Sequence, residues 1–316
     1  MSCLPASSTE AASSISGSHL KFDVIVVGSG NAGSSAALSA IDSGCKHVLL
    51  IDKCPSEWVG GNSYFTAGAY RTVHDGLADI LDIVPNVDPK LVATIDMEPY
   101  THEQFINDIM RLSDGRSDPA LVKALVGSSH DTVLWLSKRV EIPFVLSFHR
   151  QAYLVDGRQK FWGGMVLAVE DGGKGLVAAH HRALKESGVE VWFNTEAIDL
   201  VLLDDRVSGL KVKKDDELLI LRATSIILAS GGFESSREMR HKYLGSEWMN
   251  ARVRRSCVKC GIGKITDLQR FEEPPTTLAK PSSWPGAQVP RSEVIGEGVT
   301  VLAGMPIPRW TLATVF

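Results

Sequence analysis

The stretch FDVIVVGSGNAG, residues 22–33, decides the fold of this 316-residue chain. Its first half is a short apolar run, mostly β-branched, which is typical of a strand buried on both faces of a parallel sheet. Its second half is the glycine turn Gly28-Ser29-Gly30-Asn31-Ala32-Gly33. In such a turn the first glycine permits the bend, the second admits a pyrophosphate to the backbone, and the third lets the next helix pack on the strand. The turn therefore predicts a dinucleotide site.

The residues after the turn complete a βαβ unit. The small-residue segment 34–43 predicts a helix that ends at Gly44, and residues 47–52 predict a second buried strand. Asp52 ends that strand, where an acid accepts a hydrogen bond from a ribose hydroxyl and disfavours a 2′-phosphate. We include the adjacent Lys53 in the site. A loop that merely needs glycine is the alternative, and it does not account for the strand and helix on either side.

Two further groups of small residues favour FAD over NAD. Gly60, Gly61, Asn62 and Ser63 follow the second strand, with Ala67 and Gly68 shortly after, and an isoalloxazine or its ribityl chain needs such close backbone approach. A later strand ends in Ala229, Ser230 and Gly231, which resembles the second glycine signature of flavoproteins with two dinucleotide domains. An NAD-binding module without flavin remains the alternative.

The rest of the chain predicts an α/β, FAD/NAD(P)-binding Rossmann-like fold. Residues 71–163 predict a mostly helical insertion, with a capping box at Thr101–Gln104 and a helix that begins after Asp118 and carries Leu121 on its apolar side. After a glycine cluster, residues 176–187 predict a helix that Gly188 ends. Further strands are predicted at 189–193, in an antiparallel meander (197–203, 207–212 and 217–221), and at 225–229.

The two ends of the chain carry no clear periodicity. We predict a disordered tail over 1–20, an FAD-binding domain over 21–254, and an irregular tail over 255–316, in which only 294–302 is strand-like. The first residues lack the pattern of a secretory leader, so we expect a cytoplasmic protein.

Charge and cysteine content exclude several classes. A net charge of −4 and a pI of about 6.1 give no electrostatic case for a nucleic-acid or membrane-surface partner, and no apolar run is long enough to span a bilayer. Five cysteines are too few and too scattered for a disulfide framework. We interpret Cys257 and Cys260 as loop thiols rather than a zinc site and predict no metal.

Three stretches carry a family resemblance: GGNSYFTAGAYRTVHDGLADI (60–80), KFWGG (160–164) and GGKGL (172–176). They resemble the fumarate reductase and succinate dehydrogenase flavoprotein family, which includes ketosteroid dehydrogenases, and look closest to its tricarballylate dehydrogenase-like branch. The similarity covers roughly residues 23–254. It implies an FAD-dependent oxidoreductase that moves a hydride between flavin and a C–C bond of a small carboxylate such as tricarballylate, succinate or fumarate, with an unidentified electron donor or acceptor.

The resemblance also implies details of the site. It places a backbone contact to adenine at Glu196 or Ala197. It implies non-covalent FAD, because members with covalent flavin carry a histidine about where Asn62 stands. The segment after Arg254 departs from the family, whose catalytic arginine and histidines lie there. We therefore expect a truncated or altered chain with unassigned catalytic residues; the alternative function is a fragment that binds FAD weakly and is inactive.

For several charged residues the sequence leaves two roles as alternatives. Four of them can meet an anionic substrate or be solvated surface charges: His149, Arg150, Arg158 and Lys160. Lys174 in the glycine cluster can touch flavin or a substrate carboxylate, and His180 and His181 are predicted on a helix surface. A disulfide-reductase function needs a cysteine pair beside the flavin, and Cys45 and Cys54 lie on the wrong elements for it.

Overall fold

The computed structural model describes residues 21–84, 87–204, 206–232, 236–250 and 300–302. The predicted tail over 1–20, nearly all of the predicted tail over 255–316, and Cys257 and Cys260 lie outside these ranges. The elements, in chain order, are β1 (Lys21–Val27), α1 (Asn31–Asp42), β2 (Val48–Ile51), β3 (Ala69–Tyr70), α2 (Leu77–Ile83), α3 (Pro89–Val92), β4 (Ile95–Met97), α4 (His102–Leu112), α5 (Pro119–Arg139), β5 (Phe144–Leu146), α6 (Phe148–Gln151), β6 (Ala152–Val155), β7 (Arg158–Phe161), β8 (Leu167–Val169), α7 (Gly172–Glu186), β9 (Glu190–Trp192), β10 (Thr195–Leu203), β11 (Arg206–Lys214), β12 (Glu217–Leu228), α8 (Arg237–Leu244) and β13 (Thr300–Leu302).

A seven-stranded sheet forms the centre of the fold. Its order is β10-β11-β12-β1-β2-β9, and β13 pairs with β12. β1 runs parallel to both β2 and β12, so that Val27 lies opposite Ile51 on one side and Leu228 on the other. β9 continues the parallel part, with Trp192 opposite Ile51. The carboxyl ends of four strands therefore meet at one edge of the sheet, where ligands bind in open α/β sheets.

The strand β12 is longer than the sequence predicts. The two separate strands predicted at 217–221 and 225–229 are one strand, Glu217–Leu228. Its first half pairs antiparallel with β11 and its second half parallel with β1. Between the two predicted runs, Arg222 and Thr224 are exposed while their neighbours are buried, which is the two-residue alternation of a continuous strand.

Both faces of β1 are buried, as predicted. Val24 and Val26 belong to a large core cluster that includes residues of α1 and α7, whereas Ile25 and Val27 belong to a second cluster with the meander strands. Each fully buried aliphatic side chain of this size contributes about 1.5–3 kcal/mol. Because alternate residues face different cores, a slip of one residue would place every side chain on the wrong face.

The insertion is less helical than predicted. α2 to α5 are present, with the capping box at Thr101 and the cap at Asp118, but two three-stranded sheets accompany them, β3-β8-β5 and β4-β7-β6. These strands are three to four residues long apart from the two-residue β3, too short to produce a periodic pattern. The prediction for Leu121 was wrong: its side chain is 45% exposed, because the buried stripe of α5 runs through Val122, Val126 and Val133.

Candidate functional site

The glycine turn lies between β1 and α1, at the carboxyl edge of the sheet. Gly28 has φ +105°, and a Cβ there would overlap the carbonyl oxygen of Ala229. A Cβ on Gly33 would overlap the carbonyl oxygen of Gly28. Gly30 is different, because a Cβ there would lie 3.6 Å from the Gly60 carbonyl oxygen, an ordinary contact. The protein's own packing therefore requires glycine at two of the three positions and leaves room at the third.

Unpaired backbone N–H groups line the start of α1. Asn31 N donates to Ser63 Oγ over 3.1 Å, and Ser34 N donates to the Gly30 carbonyl over 2.9 Å. Within the part of the chain that the structure describes, the N–H groups of Gly30, Ala32 and Gly33 have no acceptor. Free N–H groups at the positive end of a helix dipole bind phosphate oxygens. The turn thus fits the pyrophosphate of a dinucleotide.

Asp52 braces this turn from the end of β2. Its Oδ2 accepts hydrogen bonds from Ser29 N (2.8 Å) and Ser29 Oγ (2.5 Å), and its Oδ1 accepts one from Cys54 N over 2.9 Å. The carboxylate is half-buried, and the adjacent Lys53 is half-buried too. The bond to Ser29 was not foreseen from the sequence; the hydrogen bond to ribose stays a prediction.

The loop after β2 lies against α7 on one side and the glycine turn on the other. Gly60 has φ +95°, and a Cβ there would overlap the Val177 side chain. Gly68 has φ +71°, and a Cβ there would lie 2.9 Å from Val169. Ser63 is buried and bonded to Asn31. By contrast, nothing lies within 4 Å of a Cβ on Gly61, and Asn62 and Ala67 are exposed.

The remaining predicted cofactor residues lie on two strands. Ala229 is buried against the glycine turn, and Ser230 and Gly231 follow it half-buried. Ala197 is apart from this group, because its side chain belongs to the second core cluster and its backbone pairs with Val212. The start of β10 still reaches the site, since Thr195 N donates to the Asp52 carbonyl over 2.9 Å. The adenine contact at Glu196 or Ala197 stays a prediction.

The prediction that His180 lies on a helix surface was wrong. Its side chain is 2% exposed, and its Nε2 is 2.8 Å from Asn31 Oδ1. Burial lowers the pKa of His180 to about 3, so the imidazole is neutral. The sequence did carry a signal, because Leu176, His180 and Leu184 share one helix face at four-residue spacing and all three are buried.

Two other predictions for α7 need adjustment. The helix begins at Gly172, so the glycine cluster is its first turn rather than a loop. A Cβ on Gly173 would overlap the Ser63 carbonyl oxygen, which explains why small residues precede the apolar part. Lys174 is exposed in this turn. His181 is half-buried and stacks on Phe193 with ring centroids 6.0 Å apart, and burial lowers its pKa.

The four charged candidates of the insertion lie on α6 and β7. Arg158 donates to Asp96 from Nε (2.8 Å) and Nη2 (2.5 Å), an exposed pair that joins β7 to β4 and holds the pKa of Asp96 below its usual range. His149 and Arg150 are exposed on α6, and Lys160 is half-buried on β7. No contact among the described residues joins any of the four to the glycine turn. Catalytic residues remain unassigned.

The cysteines differ in state. Cys45 is a free thiol whose pKa is raised by burial. Cys54 is disulfide-bonded, which the sequence analysis did not foresee. The described residues contain no group of three histidine, cysteine or acidic side chains arranged to hold a metal ion. Nor does any helix in the described ranges have the length and apolar character needed to cross a membrane.

The profile of one protein family, described as FAD binding domain, matches residues 23–255. The chain belongs to this family. Its cofactor is FAD, as the two groups of small residues, over 60–68 and 229–231, predicted.

Relatives whose names specify an activity match about 70% of the chain. Over 229 residues the chain is 33% identical to a fumarate reductase (cytochrome) of Shewanella frigidimarina. The matched region covers 70% of this chain and 35% of that protein. It is 29% identical over 230 residues to a urocanate reductase of Eggerthella lenta, with 70% and 33% coverage. This flavoprotein thus belongs with the fumarate reductase and succinate dehydrogenase flavoproteins, and it spans about a third of the length of these two relatives.

Solved structures agree with the fold. The open conformation of a flavocytochrome c3 fumarate reductase superposes with a TM-score of 0.58 at 26% identity, covering 78% of this chain and 39% of that one. A 3-ketosteroid Δ1-dehydrogenase from Sterolibacterium denitrificans gives a TM-score of 0.55 at 19% identity, with 72% and 50% coverage. The second similarity shows the fold alone.

Proposed function

We propose that this chain is the FAD-binding part of an oxidoreductase that moves a hydride between flavin and a C–C bond of a small carboxylate. The observation that carries the proposal is the set of free N–H groups at the start of α1, beside Asp52 and the loop over 60–68. The fumarate reductase and urocanate reductase among the relatives both have names that specify an unsaturated carboxylate. Fumarate, succinate and tricarballylate are the substrates we propose.

Different groups of the described residues would contact different parts of the cofactor. The N–H groups of Gly30, Ala32 and Gly33 would bind the pyrophosphate, with Asp52 and Lys53 at the adenosine ribose and Ala197 at the adenine. The exposed residues of the loop over 60–68 would lie beside the isoalloxazine. FAD, when bound, supplies the hydride chemistry; the chain's own part is to bind and orient it. We propose non-covalent binding, since the sequence carries no histidine between His47 and His74, the stretch that holds Asn62.

The test is a half-reaction with the full chain loaded with FAD. The flavin is reduced with dithionite without oxygen, one equivalent of fumarate, urocanate or cis-aconitate (the unsaturated counterpart of tricarballylate) is added, and the oxidised-flavin absorbance band is followed. The proposal predicts reoxidation by at least one of these acids and none by succinate or tricarballylate, which are already saturated. Bound flavin that none of the acids reoxidises would contradict the activity and support the alternative of an inactive FAD-binding fragment.

A further inference from the structure

Three polar side chains from different elements meet at the start of α1. His180 of α7, Asn31 of α1 and Tyr70 of β3 are all almost fully buried. His180 Nε2 lies 2.8 Å from Asn31 Oδ1, and the Tyr70 hydroxyl donates to the same oxygen over 3.4 Å. Buried polar groups are hydrogen-bonded because the loss of water is otherwise uncompensated. Of these two bonds to the Asn31 amide oxygen, the shorter one, from His180, is the stronger.

The tautomer of His180 follows from its partner. An amide oxygen only accepts hydrogen bonds, so Nε2 carries the proton and donates it. Nδ1 is then the unprotonated nitrogen, and no partner among the described residues reaches it. A histidine that only filled space here would be worse than leucine, because it leaves a buried acceptor unpaired. What histidine adds at this position is the single directed bond to Asn31.

Asn31 connects that bond to both sides of the cofactor site. It is the first residue of α1, directly after Gly30. Its backbone N–H donates to Ser63 Oγ in the loop after β2, and its side chain is held from α7 by His180. α7 itself packs on the same loop, where a Cβ on Gly173 would overlap the Ser63 carbonyl. Rotation of Asn31 would therefore disturb the glycine turn and the loop after β2 together.

We propose that His180 is a positioning residue for FAD: through its Nε2–H bond to Asn31 it fixes the first turn of α1 and the loop that bonds to it. Because His180 is buried, it acts through Asn31. The proposal rests on the binding of FAD by this chain and is independent of the reductase activity.

The experiment measures FAD affinity of full-chain variants by quenching of flavin fluorescence. His180→Gln keeps an amide N–H near the position of Nε2, whereas His180→Leu removes the donor. We expect the glutamine variant to bind FAD within about threefold of the natural protein and the leucine variant to bind at least about fivefold more weakly, the effect of one lost hydrogen bond. His130→Gln, on α5 beside Asp79, is the matched control and should bind normally.

A double-mutant cycle with Asn31→Ala separates positioning from packing. If His180 acts through Asn31, adding His180→Leu to Asn31→Ala should weaken binding no further. Natural affinity in His180→Leu, equal losses in the leucine and glutamine variants, or losses that add in the double variant would each overturn the proposal. If His180→Leu does not fold, His180→Asn replaces it, because its shorter side chain does not reach Asn31. A failure of the natural chain to bind FAD would instead contradict the cofactor assignment itself.

Discussion

At the scale of single residues, the glycines of the turn have different reasons to be glycine. Gly33 is excluded from carrying a side chain by the Gly28 carbonyl oxygen. Gly30 has φ −70°, which any residue adopts, and space for a Cβ at ordinary contact distance. Folding therefore constrains Gly33 but not Gly30, where we propose that the approach of the pyrophosphate is the constraint.

This difference gives a paired prediction. Gly30→Ala should leave the unfolding temperature of the FAD-free protein within about 2 °C, because the change creates no clash. It should weaken FAD binding at least about tenfold, because the Cβ lies where the pyrophosphate must approach the backbone. Gly33→Ala should lower stability by about 1–3 kcal/mol through overpacking. Thermal unfolding and FAD titration check both, and unchanged FAD affinity in Gly30→Ala would contradict the assignment of the turn.

His180 predicts a specific dependence of stability on pH. Burial lowers its pKa from 6.5 to about 3, so below pH 6.5 the unfolded chain takes up a proton that the folded chain refuses. The free energy of unfolding that the neutral His180 contributes is fully present above pH 6.5. It is lost at up to about 1.4 kcal/mol per pH unit as the pH falls toward 3. Between about pH 6 and about pH 4.5, the free energy of unfolding in urea should depend less steeply on pH in His180→Gln than in the natural protein. Parallel curves for the two proteins would refute the buried neutral histidine.

The positions of the turn, Asp52 and the loop after β2 in the fold were predictable, because each depends on a local backbone requirement that residue types reveal; their roles toward the cofactor stay predictions. The sequence analysis missed the partners of these residues. The bond from Ser29 to Asp52 joins residues that follow two different strands, and the bond from His180 to Asn31 joins residues 149 positions apart in the sequence. A lone histidine on a helix says nothing about its partner until the helix is packed.

At the scale of elements, α7 and the loop after β2 form one unit. Gly173 and Gly60 let the helix and loop approach each other, since a Cβ on either would overlap an atom across the contact. The first turn of α7 therefore packs directly against the loop, although the sequence analysis placed the glycine cluster before the helix. Because residues 172–175 are mostly glycine, their low helix propensity concealed the helix start.

Substitution of Gly173 tests this unit. Gly173→Ala should lower stability by about 1–3 kcal/mol and weaken FAD binding, because the helix must move away from Ser63. Gly127→Ala is its control on α5, where nothing lies within 4 Å of the added Cβ; it should raise stability by about 0.5–1 kcal/mol without changing FAD affinity. Urea unfolding and FAD titration measure both effects. Stabilisation by Gly173→Ala like that of Gly127→Ala would contradict the close contact.

Other elements show where sequence patterns fail. The sequence analysis divided the single strand β12 in two because the polar residues Arg222 and Thr224 interrupt its apolar residues. The short strands of the insertion were missed because two to four residues are too few to show a period, and their pairing partners are distant in the chain. Capped helices such as α4 and α5 were predicted, because their caps are local.

At the scale of the molecule, one sheet edge gathers residues that are far apart in sequence. The ends of β1, β2 and β12 bring the glycine turn, Asp52 and Ala229 together. The parallel βαβ unit was predictable from its motif, and the family resemblance extended it to an FAD-binding domain. The order of strands in the sheet was not predictable from periodicity, since periodicity reports which faces are buried but not which strands are neighbours.

FAD binding by the purified full chain tests the central claim most directly. The chain is incubated with FAD, separated from free cofactor by gel filtration, and its visible spectrum recorded before and after acid precipitation. The account predicts an oxidised-flavin spectrum at one FAD per chain, complete release of the flavin by acid, and a higher unfolding temperature with FAD. A colourless protein whose unfolding temperature rises with NAD but not with FAD would contradict it.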